Sequence, residues 1–242
     1  MDRNQPKSFS KNYLPLFIFA TAMGFLEAIV VVYIRELYYP EGFDFPLHSL
    51  PLWLIGIELV RETTTLLMLG AVAWISGKLF LKRLSVFLFI FGTWDITYYL
   101  ALKIFLNWPE SLFTWDILFM IPITWIGPVL APIVCSFLMI FMSLLFDYFL
   151  YRKGITKLYL REYFFVFGGA AIIYVTFTID FGMLIVQGNF SPHLFSLPDS
   201  LEFQKIMSTF IPSRFCWEIF CFGILIICFG IGLFVRRALR SK

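Results

Sequence analysis

Four polar residues recur at helical spacing inside one apolar stretch of the sequence. Glu58, Arg61, Glu62 and Thr65 are three or four positions apart, so an α-helix would place their side chains on one face. Ionisable groups within membrane segments are costly and usually mark a functional site with a nearby partner. We expect this face to point inward, with Glu62 paired to Arg61. Glu27 and Glu58 would share a proton or a cation, unless these groups form ion pairs that only fix helix packing.

A second polar group surrounds Asp95 in the next apolar stretch. Asp95 and Tyr99 are four positions apart, Tyr98 falls beside them, and Trp94 and Lys103 flank the group. An acid with phenol neighbours can hold the polar head of a substrate. A tyrosine hydroxyl that merely satisfies a buried aspartate is an equally good interpretation.

The candidate site residues fall into two roles. The acid, base or metal-ligand candidates are Glu27, Glu58, Arg61, Glu62 and Asp95. The substrate-binding candidates are Arg35, Tyr98, Tyr99, Lys103, Asp116 and Arg214. All of them map to the central or external half of the predicted membrane segments, and the inner half has almost no charge. The pattern predicts a polar pocket that opens outward or toward the outer leaflet, with Asp116 either closing over it or exposed at the membrane interface.

The composition identifies lipid as the solvent of this chain. Of its 242 residues, 60% are hydrophobic and 14% are charged, which lies far outside the range of soluble proteins. The net charge of +3 is small and its basic residues are scattered, so a nucleic-acid footprint is absent. We predict one polytopic membrane domain over residues 1–242.

Six hydrophobic runs are long enough to cross a hydrocarbon core of about 30 Å. They cover roughly residues 14–34, 52–76, 84–106, 128–151, 163–186 and 215–235. The predicted fold is an all-α integral membrane protein, a bundle of six transmembrane helices. An even number of spans leaves both termini on one side.

Charge between the runs sets the orientation, because cytoplasmic loops carry the excess of Lys and Arg. The basic connections contain Lys7, Lys11, Lys78, Lys82, Arg83, Arg152, Lys153, Lys157, Arg161, Arg236, Arg237, Arg240 and Lys242. The alternate connections contain Glu41, Asp44, Glu110, Asp116, Asp199 and Glu202. Both termini are therefore expected in the cytoplasm, and the protein in a cytoplasmic (inner) membrane. Asp147 and Tyr151 are interpreted as anchors at the inner interface.

Residues 111–127 do not fit a simple span. The stretch is apolar, but Pro122, Pro128 and Pro132 would interrupt a straight helix. We predict an external interfacial or re-entrant segment that leads into a kinked fourth helix. The tetrapeptide Thr-Trp-Asp-Ile occurs at 93–96 and again at 114–117, but its surroundings do not continue the match, so it is no evidence of a repeat. The polar connection 187–213, with a short amphipathic turn near 201–207, could form a lid over the site.

Cysteines, histidines and glycines give weaker signals. The four cysteines, Cys135, Cys216, Cys221 and Cys228, lie in apolar runs and are predicted to be buried thiols. Small residues on the last two spans, Gly168, Gly169, Ala170, Gly223, Gly230 and Gly232, are expected to allow close helix contact. His48 and His193 lie in external loops, where a solvated or capping role is favoured over metal ligation. The metal and the cofactor are left unassigned, and zinc or bis-histidine haem sites have little support.

Three functional hypotheses follow. The first is a membrane-embedded enzyme that acts on the head of a lipid or isoprenoid-linked substrate, with carboxylates as acid, base or metal ligands and arginines neutralising an anionic head. The second is a small proton-coupled transporter, which predicts an additional polar vestibule on the inner side. The third is a noncatalytic subunit or assembly factor of a membrane complex. Membrane lipid is the expected partner, with a homo-oligomer or a membrane-complex partner as further options.

Overall fold

The computed structural model describes residues 13–47, 50–187, 209–212 and 214–240. This part of the chain contains six helices and one two-stranded hairpin. The elements are α1 Tyr13–Tyr38, α2 Leu52–Ile75, α3 Phe80–Leu106, β1 Trp115–Phe119, β2 Trp125–Pro128, α4 Leu130–Lys153, α5 Leu160–Gln187 and α6 Trp217–Arg240. His48, His193 and the amphipathic turn predicted near 201–207 lie outside the described residues.

Each predicted apolar run coincides with one helix, and the ends differ by at most five residues. Five of the helices, α1, α3, α4, α5 and α6, are long and apolar enough to cross a membrane. The chain is thus a helical membrane protein. Helix α2 is long enough, but every stretch of 18 residues within it contains Glu58, Arg61 and Glu62, so its composition alone does not identify it as a span.

Helix α3 lies at the centre of the first half of the molecule, where it packs against α1, α2 and α4, and α5 packs against α6. The α5–α6 contact depends on glycine. A Cβ atom at Gly169 would lie 2.6 Å from the carbonyl oxygen of Gly223, and one at Gly223 would lie 2.9 Å from that of Gly169. The predicted packing role holds for these two residues. Gly168 and Gly232 face open space instead, so the predicted packing role is wrong for these two glycines.

Residues 115–128 form an antiparallel β-hairpin, which the all-α prediction missed. Trp115 pairs with Pro128 and Asp116 with Gly127, and a register shift follows Ile117. Pro122 lies in the turn, and Pro132 lies in the first turn of α4, where a missing N–H leaves no helix bond unmade. Helix α4 is one continuous helix from Leu130 to Lys153.

The tip of the hairpin lies deep within the bundle. The ring of Phe119 stacks on Phe91 of α3, with centroids 6.4 Å apart, and Trp125 stacks on Phe177 of α5 at 6.0 Å. The backbone N–H of Met120 donates to Glu62, which lies about 15 Å along α2 from its first residue at 1.5 Å per residue. The hairpin thus touches three helices near their middles.

The cysteine prediction is only partly right. Cys135 and Cys216 are half-buried, whereas Cys221 and Cys228 are exposed on α6, and all four are free thiols. The exposed pair lies on the outer surface of an apolar helix. A sequence pattern cannot distinguish that surface from the core, because a helix in lipid is apolar on every side.

Candidate functional site

Arg61 is the centre of a charged cluster between α1 and α2. Its Nε and Nη2 atoms donate to Glu58 at 3.0 and 2.7 Å, and its Nη1 atom pairs with Glu27. The hydroxyl of Thr65 donates to the other oxygen of Glu27 at 3.0 Å. Glu27, Glu58 and Thr65 are buried, so the inward orientation of this face is confirmed. The cation that Glu27 and Glu58 share is the guanidinium of Arg61.

Glu62 has a different partner from the one predicted. Its two carboxylate oxygens accept the backbone N–H of Met120 at 2.9 and 3.1 Å, and it makes no ion pair with Arg61 among the described residues. Met120 lies just past the end of β1, where its N–H needs an acceptor because a buried peptide group is rarely left unpaired. The predicted Glu62–Arg61 pair is therefore wrong, and Glu62 holds the hairpin tip.

Arg35 and Asp116 join the end of α1 to the hairpin. Nη2 of Arg35 donates to Oδ1 of Asp116 at 3.0 Å, and the hydroxyl of Tyr99 donates to Oδ2 at 3.1 Å. The guanidinium lies 3.7 Å from the ring centroid of Trp108 and 4.2 Å from that of Phe43, distances typical of cation–π contacts. Asp116 is only 1% exposed, so the alternative of exposure at the interface is excluded.

The electrostatics of this second cluster are not fully balanced. Burial raises the pKa of the Asp116 carboxyl to about 6, while the Arg35 guanidinium and the Tyr99 hydroxyl act to lower it. On the other side of the pair, Nη1 of Arg35 is buried and has no hydrogen-bond acceptor among the described residues. One strong donor is thus free to bind an acceptor oxygen of a ligand.

Asp95 has a hydroxyl partner but no cationic partner among the described residues. It accepts one hydrogen bond, 2.6 Å long, from the hydroxyl of Ser136 on α4, and no Lys or Arg of the described part pairs with it. Tyr99 bonds to Asp116, so the interpretation in which a tyrosine satisfies Asp95 is wrong. The hydroxyl of Tyr98 makes no hydrogen bond to the described residues, and its ring stacks on Trp94 with centroids 6.5 Å apart.

Direct contacts join these groups. Tyr98 and Tyr99 are neighbours on α3 with ring centroids 5.0 Å apart, and Tyr99 bonds to Asp116 of β1. Glu62 of α2 bonds to the same hairpin through the N–H of Met120. These predicted residues therefore lie in one neighbourhood, formed by α1, α2, α3 and the hairpin. It contains five carboxylates and two guanidinium groups, belonging to Glu27, Glu58, Glu62, Asp95, Asp116, Arg35 and Arg61.

No protein family model, curated protein or solved structure matches the chain. Within the described ranges, no three His, Cys, Asp or Glu side chains gather in an arrangement that could hold a metal ion. The acids of the Arg61 cluster are held by a guanidinium, a hydroxyl and a peptide N–H instead.

Two predicted binding residues have local roles outside this neighbourhood. The Nζ atom of Lys103 donates to the carbonyl oxygens of Asn107 and Pro109 at 3.1 and 2.9 Å, where it caps the end of α3. Arg214 pairs with Glu218 one turn later, and both side chains are exposed. The structure therefore does not bring Lys103 or Arg214 to the candidate site.

A further buried ion pair joins the start of α3 to the end of α4, at the end of the bundle away from the hairpin. Nζ of Lys82 lies 2.5 Å from Asp147, which also accepts the hydroxyl of Tyr13 at 2.8 Å. Beside them, Ser85 donates to the carbonyl oxygen of Ser143 at 3.0 Å. Asp147 is fully buried, so its interpretation as an interface anchor is wrong. The half of the bundle that was predicted to carry almost no charge therefore contains a buried ion pair, because Lys82 lies inside α3 rather than in the preceding loop.

Three groups of the structure escaped the sequence analysis for different reasons. Ser136 carries no charge and has no spacing signal, and the N–H of Met120 belongs to the backbone. Lys82 follows a run that ends near residue 76, so the charge rule assigned it to a loop. Its partner Asp147 lies near the end of α4, 65 positions along the chain, and no spacing rule links the two residues.

Proposed function

We propose that this chain is a membrane-embedded enzyme in which an acid–base site binds the polar head of a lipid or isoprenoid-linked substrate. The observation that supports the proposal best is Asp95, an aspartate in a membrane-spanning helix whose partner is a hydroxyl and to which no Lys or Arg of the described ranges is paired. A carboxyl group without a cation in an apolar surrounding favours its neutral form. Asp95 is thus suited to donate a proton to a leaving oxygen or to take one from a nucleophile.

The neighbouring groups would orient the substrate head. Tyr98 offers a free hydroxyl close to Asp95, and Nη1 of Arg35 offers a buried donor. Arg61 is held between two carboxylates, so it would neutralise a bound anion only by giving up one of them. The acid–base role is therefore favoured over a cationic clamp, and Glu58 and Glu27 are the groups that would exchange a proton as Arg61 moves.

The proposal includes a placement in the membrane. Six spans would put α2 across the bilayer, because its charges are neutralised inside the bundle by α1 and the hairpin. The hairpin would then be a re-entrant segment whose backbone is covered by protein, a setting in which non-helical backbone is tolerated at membrane depth. Both termini would lie in the cytoplasm and the site in the outer half of a cytoplasmic membrane, where lipid heads reach it from the side.

The experiment uses the purified chain in lipid nanodiscs with three defined probes: a polyprenyl phosphate, a polyprenyl diphosphate and a diacyl phosphatidylglycerol. Products are followed by liquid chromatography and mass spectrometry. We expect turnover of a probe by the wild type and a loss of about 100-fold in Asp95→Asn, the usual weight of a general acid or base. Asp180→Asn is the matched control, since Asp180 lies on α5 and has no hydrogen bond or ion pair with a described residue. Full turnover in Asp95→Asn, or no turnover of any probe by the wild type, would contradict the proposal.

A proton-coupled carrier is the second candidate, and the Lys82–Asp147 pair favours it. Buried ionisable groups in both halves of the bundle are what a proton pathway requires. In liposomes that enclose a pH-sensitive dye, a carrier would move protons under an imposed potassium diffusion potential, and Glu58→Gln would abolish the flux. The enzyme proposal expects no flux above that of empty liposomes. If the chain is inert in both assays and a partner remains bound through mild detergent extraction, the subunit hypothesis takes their place.

A further inference from the structure

A basic cleft lies at the end of the bundle where α5 begins and α6 ends. It has a volume of about 590 Å³ and is lined by Tyr159, Arg161, Glu162, Leu233, Arg236, Arg237 and Arg240. This is the end opposite to the hairpin, so the cleft is independent of the candidate site and of the function proposed for it.

The floor of the cleft is a fixed ion pair. Glu162 is 1% exposed and accepts Nε and Nη2 of Arg237 at 2.7 and 2.8 Å, as well as the N–H of Tyr159 at 2.8 Å. The guanidinium of Arg237 also lies 4.0 Å from the ring centroid of Tyr159 and donates to the carbonyl oxygen of Lys157. The start of α5 and the end of α6 are thereby joined, and Glu162, the one acid among the described lining residues, is already paired.

The remaining charge of the cleft is free. Arg161, Arg236 and Arg240 are exposed and make no ion pair with any described residue. Four guanidinium groups and one carboxylate give the lining a formal charge of +3. Guanidinium groups match the oxygens of an anion such as a phosphate in pairs of parallel hydrogen bonds, so this lining fits a phosphate better than a neutral sugar.

The surface next to the cleft is apolar. Leu160 is 86% exposed, Phe164 is 72% exposed and Leu239 is 64% exposed. These side chains belong to the ends of two helices that are apolar enough to lie in lipid. A ligand that presents a phosphate to the arginines would therefore have its apolar part against them.

The geometry points to a binding site for the phosphate head of an anionic phospholipid in the cleft between the start of α5 and the end of α6. Basic pockets between membrane helices are known to hold such heads. An inorganic phosphate ion offers the same oxygens to the arginines but has no acyl chain to cover the exposed leucines and phenylalanine. A lipid is therefore the occupant that satisfies both the charge and the apolar surface.

The test measures binding of short-chain dioctanoyl lipids to the full chain in a nonionic detergent by native mass spectrometry. We expect dioctanoyl phosphatidylglycerol to bind more tightly than dioctanoyl phosphatidylcholine, and the triple variant Arg161→Gln/Arg236→Gln/Arg240→Gln to lose at least about tenfold of that preference. The matched control, Lys78→Gln/Arg152→Gln/Lys153→Gln, removes the same charge from exposed residues of the same end of the bundle that do not line the cleft. It should keep the preference.

Two outcomes would overturn the inference. An equal loss in the control variant would mean that net charge alone attracts the lipid and that the cleft is not a site. Displacement of the lipid by inorganic phosphate at the same concentration would assign the cleft to the free ion. A circular dichroism spectrum for each variant shows whether it is folded. Arg236→Lys keeps the charge but loses the paired donors, so it should retain only part of the preference for phosphatidylglycerol.

Discussion

At the scale of single residues, Arg35 shows best how a charge can be accommodated in this molecule. Its guanidinium is bonded to Asp116 on one edge and stacked between two aromatic rings. Each contact lowers the cost of burial, which would otherwise be several kcal/mol. The residue type and its position near the end of α1 were sufficient to select Arg35 as a candidate. Its acidic partner lies 81 positions away and could be identified only from the fold.

A double-mutant cycle tests how strongly this pair is coupled. Arg35→Met should lower the free energy of unfolding by about 3 kcal/mol, because it leaves a buried carboxylate without its cation. Asp116→Asn should lower the free energy of unfolding by a similar amount. The double variant should lower it by less than the sum of the two single variants. Unfolding by a denaturing detergent, followed by tryptophan fluorescence, gives all three values.

The exposed pair of Arg214 and Glu218 provides the comparison for that cycle. Because both side chains are largely in solvent, Arg214→Met and Glu218→Gln should leave the unfolding curve unchanged. If the Arg35 and Asp116 variants behaved like this exposed pair, the buried pair would contribute nothing to stability. Its role would then be confined to binding.

At the residue scale, the sequence predicted which charged side chains turn inward, because exposing a charge to lipid is costly. It did not predict which groups those side chains bind. Glu27, Glu58 and Arg61 were placed correctly because a charged face in an apolar run has to turn inward. Glu62 belongs to the same face, yet its partner is a peptide N–H from a hairpin that no periodicity indicated. Partners of this kind depend on tertiary structure, which residue spacing does not contain.

At the scale of elements, the hairpin was the hardest part of the fold to predict. The tetrapeptide Thr-Trp-Asp-Ile is helical in α3 at residues 93–96, whereas its second copy at 114–117 enters β1. Local sequence therefore does not decide between the two states. The second copy is followed by Pro122 and Pro128, which exclude a helix there, and strand pairing then satisfies the backbone. The prolines in the sequence argued against a helix here, but no pattern in the sequence indicated a strand instead.

Gly127 offers a specific test of how the hairpin is held in the bundle. A Cβ atom there would lie 3.1 Å from the ring of Phe177 and 3.3 Å from that of Phe215. The larger side chain of Gly127→Leu should push β2 away from α5 and lower the free energy of unfolding by about 1–3 kcal/mol, as overpacking usually does. The thermal midpoint in detergent measures the effect. Gly232→Leu, on a helix face where nothing lies within 4 Å, should have a far smaller effect, and equal effects would mean that the hairpin is free to move.

At the scale of the whole molecule, the sequence predicted the number and limits of the helices far better than the distribution of charge among them. A long apolar run has one stable solution in lipid, because a helix satisfies its own backbone. The location of a charged residue is harder to predict, because a lysine near a helix end is assigned to the loop until its partner is known. Lys82 and Asp147 are 65 positions apart, and together they place a buried ion pair in the half that was expected to be apolar.

Helix α2 decides whether five or six segments cross the membrane. Its length of 24 residues corresponds to about 36 Å, enough to span the hydrocarbon core. Its three charges count against it only if they face lipid, and each is bonded inside the bundle to Glu27, to the hairpin or to another residue of α2. The charge of a segment should therefore be judged after its partners are known, which favours α2 as a span.

Cysteine labelling in intact cells tests this topology directly. In a background that has no native cysteine, a charged membrane-impermeant maleimide should label Glu41→Cys and Glu110→Cys but neither Lys78→Cys nor Lys153→Cys. The first two exposed residues follow α1 and α3, and the other two lie at the ends of α2 and α4. Permeabilised cells, in which all four should react, control for access. If α2 did not cross, Glu41→Cys and Lys78→Cys would behave alike, and the carboxylates of α2 would have to lie at the membrane surface rather than in a site reached through lipid.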